Sequence, residues 1–311
     1  MLNTKDPAPI SKFYQPSALG NILWHELELC YGFVRRDLGT GLLPVPGFTL
    51  ASLLYRKASA EEIYSVIPYA FLYGFLYLYS FVVANQIDGV NEDKVNKPDR
   101  PIASGATTLR AAKIRWTILT LLYLGYSFYL GVEKPTLLWI ATTIAHNFLG
   151  FANFGPTKDG CMGAGCIAQL TAGWAIGGSS PEMGWDWIKY ITLYMLWPIP
   201  LQDLRDVPGD KAVGRLTTPI LMGDTISRIY ISAGICVSQY LLVRYRILEY
   251  RYDISTIILS ALLAVMSLAV VVRLFAWRTV TADRGNTDLS HISSFDLLNR
   301  GRSMERVRGE N

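Results

Sequence analysis

Residues 64–84 form an apolar run of about twenty residues, the length that crosses a bilayer. The run leads without a break into 85–101, where Asp88, Glu92, Asp93 and Asp99 crowd together with Lys94, Lys97 and Arg100 and with several amides. Carboxylates at the mouth of a membrane span are costly unless something binds them. Carboxylates interleaved with Lys and Arg suit a hard divalent cation that carries phosphate. This juxtaposition confines the chain to membrane architectures and points to a charged-ligand site at one membrane face.

The rest of the sequence agrees. Of 311 residues, 51% are hydrophobic and 17% charged, against roughly 25% charged in soluble domains. The 18 Tyr and 8 Trp suit a multi-span protein with aromatic interface residues. Further apolar segments fall at 38–55, 116–132, 137–154, 161–178, 187–201, 220–243 and 254–277. With 64–84 they predict an all-α, polytopic transmembrane helical bundle of eight spans. Breakers within these segments are tolerated where neighbouring helices satisfy the backbone. Ile22 to Phe33 is amphipathic and reads as an interfacial helix. Residues 1–16 lack the apolar core of a secretory signal, so the first span is expected to act as its own insertion signal. A net charge of +4 gives little support to nucleic-acid binding.

A second acidic cluster follows the segment 187–201. Asp203, Asp206 and Asp210 are spaced three and four apart, so on a helix they share one face. Parity over eight spans brings them to the same membrane face as 85–101. The basic loops after the second and sixth spans and the basic tail mark that face as cytosolic. Two facing acidic sets can hold Mg²⁺ bridging a diphosphate, since Mg²⁺ takes one or two carboxylates and completes its shell with water and phosphate. Lys97, Arg100, Lys158, Arg205 and Lys211 could stabilise the charge growing on a departing diphosphate. An allylic carbon left behind as a cation then needs a dry, aromatic-lined chamber. Candidate lining residues include Tyr73, Tyr77, Phe148, Phe151, Trp174 and Trp197.

Other features read more plainly. Cys161 and Cys166 lack a second pair or a His cluster, so no zinc site is expected. His146 and Asn147, inside the fourth span, are expected to hydrogen-bond across helices, the alternative being that they face substrate. Arg35 and Arg36 read as topology anchors, the alternative being contact with phosphate. Gly163-Ala164-Gly165 and Gly177-Gly178 read as places where helices approach closely.

The run from Asn85 to Gly105, ending Asn96-Lys97-Pro98-Asp99-Arg100-Pro101-Ile102-Ala103-Ser104-Gly105, resembles the first signature of the UbiA superfamily, and Asp203-x-x-Asp206-x-x-x-Asp210 resembles the second. The likeness extends in layout over residues 35–280. It implies a bundle of eight or nine spans around a central cavity, with Mg²⁺-dependent use of an isoprenyl diphosphate. It also implies catalytic roles for Asp93, Asp203, Asp206 and Asp210, and metal ligation by Asn85, Asp88, Glu92, Asp93 and the three aspartates of the second motif. Diphosphate contacts are implied for Asn85, Lys97, Arg100, Lys158, Arg205 and Lys211. Gln86 and Gly89 stand where the family has aspartates. This form, with Arg36-Asp37-Leu38-Gly39-Thr40, resembles a fungal subgroup that includes membrane-bound sesquiterpene cyclases.

The expected layout is a tail and interfacial helix over 1–37, a UbiA-like membrane domain over 38–277 and a cytosolic tail over 278–311, with a short helix at 295–298. The expected setting is the endoplasmic reticulum membrane, with the acidic motifs facing the cytosol. The expected reaction is Mg²⁺-dependent ionisation of a prenyl diphosphate, with farnesyl diphosphate the first choice, followed by terpene cyclisation. The alternatives are prenyl transfer to an aromatic or other acceptor, and a non-catalytic cation-binding membrane scaffold or transporter. The partners expected are the prenyl diphosphate and the lipid bilayer; nothing in the sequence calls for a protein partner.

Overall fold

The computed structural model describes residues 18–250, 252–279 and 283. The expectations for both tails, including the short helix at 295–298, fall outside these residues. The described chain is helical, and its one β-bridge joins Phe154 to Leu216.

The helices are α1 (Ala18–Val34), α2 (Leu38–Leu42), α3 (Pro44–Tyr55), α4 (Ala60–Asp88), α5 (Val90–Asn96), α6 (Leu109–Leu130), α7 (Glu133–Phe148), α8 (Gly155–Gly177), α9 (Pro181–Met195), α10 (Pro198–Ala212), α11 (Thr218–Met222), α12 (Asp224–Leu242), α13 (Leu248–Tyr250) and α14 (Ile254–Ala276). Local chemistry sets many of their ends. The Ser59 side chain accepts from Glu62 N–H and starts α4, with Glu61 and Glu62 in its first turn. Acids there complement the helix dipole. Thr108 caps α6 in the same way, and Gly131 closes that helix in the left-handed conformation. Asp253 and Thr256 form a reciprocal capping box at α14. Pro156 and Pro198 stand in the first turns of α8 and α10, where a missing N–H is harmless.

Among the described residues, four helical segments are long and apolar enough to cross a membrane: Leu38–Tyr55, Ala60–Asp88, Asp224–Ile247 and Ile254–Ala276. Segments 116–132, 137–154 and 161–178 are covered mainly by α6, α7 and α8, but these helices fall short of that length or hydropathy. Segment 187–201 departs from expectation. It is two helices, because the chain turns at Leu196 and Trp197 before Pro198 opens α10. The second acidic motif therefore belongs to a separate helix rather than to the end of a span.

The core has two parts. One gathers Phe33, Tyr73, Tyr77, Val83, Tyr123, Trp139 and Ala168. The other gathers Leu201, Leu204, Ile231, Ile235, Val270 and Leu274. Helix α8 packs on α3, α4, α7 and α9 and touches α10, so it links the two. Its small residues allow this: a Cβ on Gly165 would strike the Trp139 ring, and one on Gly163 would strike Leu196. The close approach expected at 163–165 is thus present. On α14, Ile258, Leu262, Val265 and Leu268 point outward, the apolar face a bilayer-exposed helix needs.

Candidate active site

The two acidic motifs meet where the two cores adjoin. Helix α4 stops at Gly89, whose N–H bonds to Asn85 O at 2.9 Å, and the chain restarts at once as α5. A Cβ on Gly89 would press on that same Asn85 carbonyl at 2.9 Å. The tight junction explains why a residue without a side chain stands there. It presents Asp88, Glu92 and Asp93 together. Helix α10 faces α5 and carries Asp203, Asp206 and Asp210.

The Asn96 side chain joins these two helices. Its Nδ2 donates to Asp206 O at 3.0 Å, and its Oδ1 accepts from Gly209 N–H at 3.1 Å. A side chain on Gly209 would overlap that amide.

The carboxylates do not converge on one point. Among the described residues no three His, Cys, Asp or Glu side chains gather closely enough to hold a metal by themselves. The shared face expected for Asp203, Asp206 and Asp210 is real, but each meets its own cation. Lys158 bonds Asp203. Lys97 bridges Asp206 at 2.8 Å and Glu92 at 3.4 Å. Arg215 pairs with Glu92, with Asp88 at 3.4 Å and with Asp210 at 3.6 Å. Asp93 lies to one side, with both oxygens on Arg100 Nη1 at 2.8 and 3.0 Å. The result is a buried lattice of alternating charge.

Several expected residues stand apart. Lys211 is exposed and makes no ion pair among the described residues. Among the described residues Arg205 pairs only with its neighbour Asp206, at 3.5 Å. The Asn85 side chain, on the last turn of α4, makes no hydrogen bond among the described residues. Arg35 and Arg36 both bind Asp99, outside the lattice. Sequence reasoning counted Arg215 only as a topology charge and missed its place at the centre. The signal available was a basic residue five positions past Asp210, ahead of Thr217, whose Oγ1 donates to Asp210 Oδ2 at 3.1 Å. Asp159, beside Lys158, was also missed.

The electrostatics leave room for added positive charge. Burial opposes ionisation of Glu92, yet Lys97, Arg215 and Lys158 hold its carboxyl down at about 2. Asp210 goes the other way. Burial, and the charges of Asp203 and Glu92, push it up to about 6 despite Lys158 and Arg215. Burial likewise raises Asp203 and Asp93. Asp159 is pushed up to about 7, first by burial and then by the charge of Asp203. Asp203 Oδ2, Asp210 Oδ1 and Asp159 Oδ1 are buried without a hydrogen-bond donor. Buried acceptors are normally satisfied. Unsatisfied carboxylate oxygens among lysines and arginines fit Mg²⁺ that draws its remaining ligands from phosphate.

Aromatic rings lie membrane-ward of this lattice. Tyr77 stacks on Trp139 at 4.5 Å between ring centroids, and Phe81 lies 4.8 Å from Trp139 and 5.6 Å from the His146 ring. Of the other expected lining residues, Tyr73 bonds Thr136 and Tyr123 deep in the core, and Phe151 is exposed. His146 does not bond across helices as expected; its Nδ1 partner is Asn147 on the same helix.

Known proteins match most of this chain. The model of the UbiA prenyltransferase family matches residues 45–292. The chain is 38% identical over 218 residues to a diterpene cyclase, eriG, of Hericium erinaceus, covering 67% of this chain and 68% of that protein. It is 35% identical over 222 residues to a polyprenyl transferase, eriF, of the same organism, covering 67% and 73%. Its fold is similar to the structure of a UbiA homolog from Archaeoglobus fulgidus bound to GPP and Mg²⁺, with a TM-score of 0.53 and 14% identity over 88% of this chain and 95% of that one. With its apolar helices, its two acidic helices and a family match over most of its length, the chain is an integral membrane enzyme of the UbiA type and belongs to the UbiA prenyltransferase family.

Proposed function

We propose that this enzyme ionises a prenyl diphosphate with Mg²⁺ and closes the resulting allylic cation into a ring. The observation that carries the reading is the pairing of Lys97, Lys158 and Arg215 with two sets of buried carboxylates, above the rings of Tyr77, Phe81 and Trp139. A diphosphate is the ligand that can take these three cations together. In doing so it would release oxygens of Glu92, Asp203, Asp206 and Asp210 toward metal. Asn85, Asp88 and Asp93 complete the proposed ligand set, and Arg100 orients Asp93. When bound, Mg²⁺ would supply positive charge to the leaving group. Lys97, Lys158 and Arg215 stabilise the negative charge that develops on the departing oxygens, in a site already arranged for it. The aromatic wall excludes water and offers ring faces to the cation.

The similarity to a diterpene cyclase supports cyclisation. The similarity to a polyprenyl transferase supports a second reading, transfer of the prenyl group to an acceptor such as a phenol. We place the acidic face toward the cytosol of the endoplasmic reticulum, on the basic loops around the motifs. Residues 38–277 form the proposed membrane domain, flanked by tails over 1–37 and 278–311.

The test incubates membranes that contain the protein with farnesyl or geranylgeranyl diphosphate and Mg²⁺, without acceptor. Pyrophosphate release with a cyclic product is the expected result. A prenylated adduct formed only when phenols are added would assign the chain to transfer. No pyrophosphate from either substrate, with or without acceptor, would leave a cation-binding scaffold as the better reading.

A further inference from the structure

One buried imidazole beside the aromatic wall has a defined tautomer and an unused nitrogen. His146 is 4% exposed and Asn147 is 1% exposed, both on α7. Asn147 Nδ2 donates to the Thr143 carbonyl at 2.9 Å. A carbonyl only accepts, so this bond settles which way the amide faces. Asn147 Oδ1 is therefore the atom 2.9 Å from His146 Nδ1. An amide oxygen also only accepts, so Nδ1 carries the hydrogen and Nε2 of the neutral ring holds a bare lone pair.

Among the described residues no group bonds Nε2, and Nε2 is not among the fully enclosed polar atoms. The ring lies against Phe81 and within reach of the charges of Lys158, Arg215 and Glu92. A basic nitrogen with no partner among the described residues thus sits on a ring packed against the aromatic wall.

We infer that His146 Nε2 is the proton acceptor that ends the reaction, with Asn147 the positioning residue that holds the imidazole in its basic tautomer. This rests on the carbocation chemistry proposed above. A C–H bond next to the cationic carbon breaks, and its electron pair becomes the new C=C bond. The proton goes to Nε2, giving an imidazolium that returns the proton to water when the site opens. The product is a hydrocarbon, and no water molecule is consumed.

The experiment compares the unmutated protein with H146Q and N147L in lipid nanodiscs, supplied with farnesyl or geranylgeranyl diphosphate and Mg²⁺. The quantity read is the parent hydrocarbon formed per pyrophosphate released, which separates termination from ionisation. In H146Q this ratio is expected to fall about a hundredfold, the scale of general-base catalysis, with alcohols or other olefins in its place. In N147L, where the tautomer is no longer held, the ratio is expected to fall in the same direction but by less than in H146Q. A readout independent of turnover is ¹⁵N NMR of histidine-labelled protein, which has three histidines. One signal set, absent in H146Q, should show protonated Nδ1 and bare Nε2, and N147L should shift it toward a tautomer mixture.

An unchanged hydrocarbon ratio in H146Q, an Nε2–H tautomer in the unmutated protein, or an alcohol as its sole product would each overturn the assignment. Failure of the unmutated protein to release pyrophosphate from either substrate would overturn the ionisation reading itself, and that is visible without any variant.

Discussion

Asn96 and Gly209 lie 113 residues apart, yet the Asn96 amide caps the Gly209 N–H at 3.1 Å and reaches back to Asp206 O at 3.0 Å. Together with the Lys97 bridge from Glu92 to Asp206, this side chain ties the two acidic helices to each other. Replacing it with alanine removes both bonds and leaves a gap between α5 and α10. Because small displacements of reacting groups are costly, N96A is expected to lower pyrophosphate release by about a hundredfold. G209A should act in the same direction, by pushing the Asn96 amide away. Steady-state pyrophosphate assays on matched expression levels check both.

Arg215 contacts Asp88, Glu92 and Asp210 at once, a task for a forked guanidinium. R215M leaves buried carboxylates without their partner, a loss of about 3–5 kcal/mol by analogy with broken buried pairs. It should show as a lower melting temperature and no turnover. R215K keeps the charge and loses the fork. It is expected to fold, with the KM for diphosphate raised about tenfold, the scale of one charged hydrogen bond.

Asp93 and Asp206 lie on different helices and are held by different cations. D93A and D206A are each expected to abolish pyrophosphate release with expression intact. Chelation of divalent metal should do the same to the unmutated protein, with recovery on added Mg²⁺. Full activity in both variants would remove these residues from the metal site.

Lys211 is the control. It lies outside the charged lattice, and exposed substitutions of this kind shift energies by about 0.5 kcal/mol or less. K211A is therefore expected to change turnover by less than about twofold. Loss of activity in K211A would restore it to the diphosphate site.

Gly165 tests the chamber wall. Its Cβ position is filled by the Trp139 ring, and its carbonyl accepts from Tyr77 Oη at 3.0 Å. G165A should destabilise the protein by about 1–3 kcal/mol, the usual cost of overpacking. It should also alter the product mixture, since Trp139 must move. Thermal unfolding and product analysis read the two effects separately.

Much of this protein was legible from local pattern. The helical spacing of Asp203, Asp206 and Asp210 and the close approach at the small residues of α8 both appear in the structure where their chemistry predicts. The break at Leu196 and Trp197 was not read, because the apolar character of 187–201 continues across it while Pro198 starts a new helix. His146 was read as a cross-helix link because hydropathy cannot tell a neighbour's amide from a distant one.

The sequence alone determined that the chain is helical and apolar, that it carries two acidic motifs with basic companions, and that these suit a metal-held diphosphate. Such properties follow from composition and from spacing within a turn or two. Only the tertiary structure decided which cation meets which acid: Arg215 with Glu92, Lys97 with Asp206, Lys158 with Asp203. Those partners are far apart along the chain. Their meeting depends on how α5, α8 and α10 pack through Asn96 and the small residues around it, and Coulomb attraction between them acts only once that packing has brought them together and excluded water.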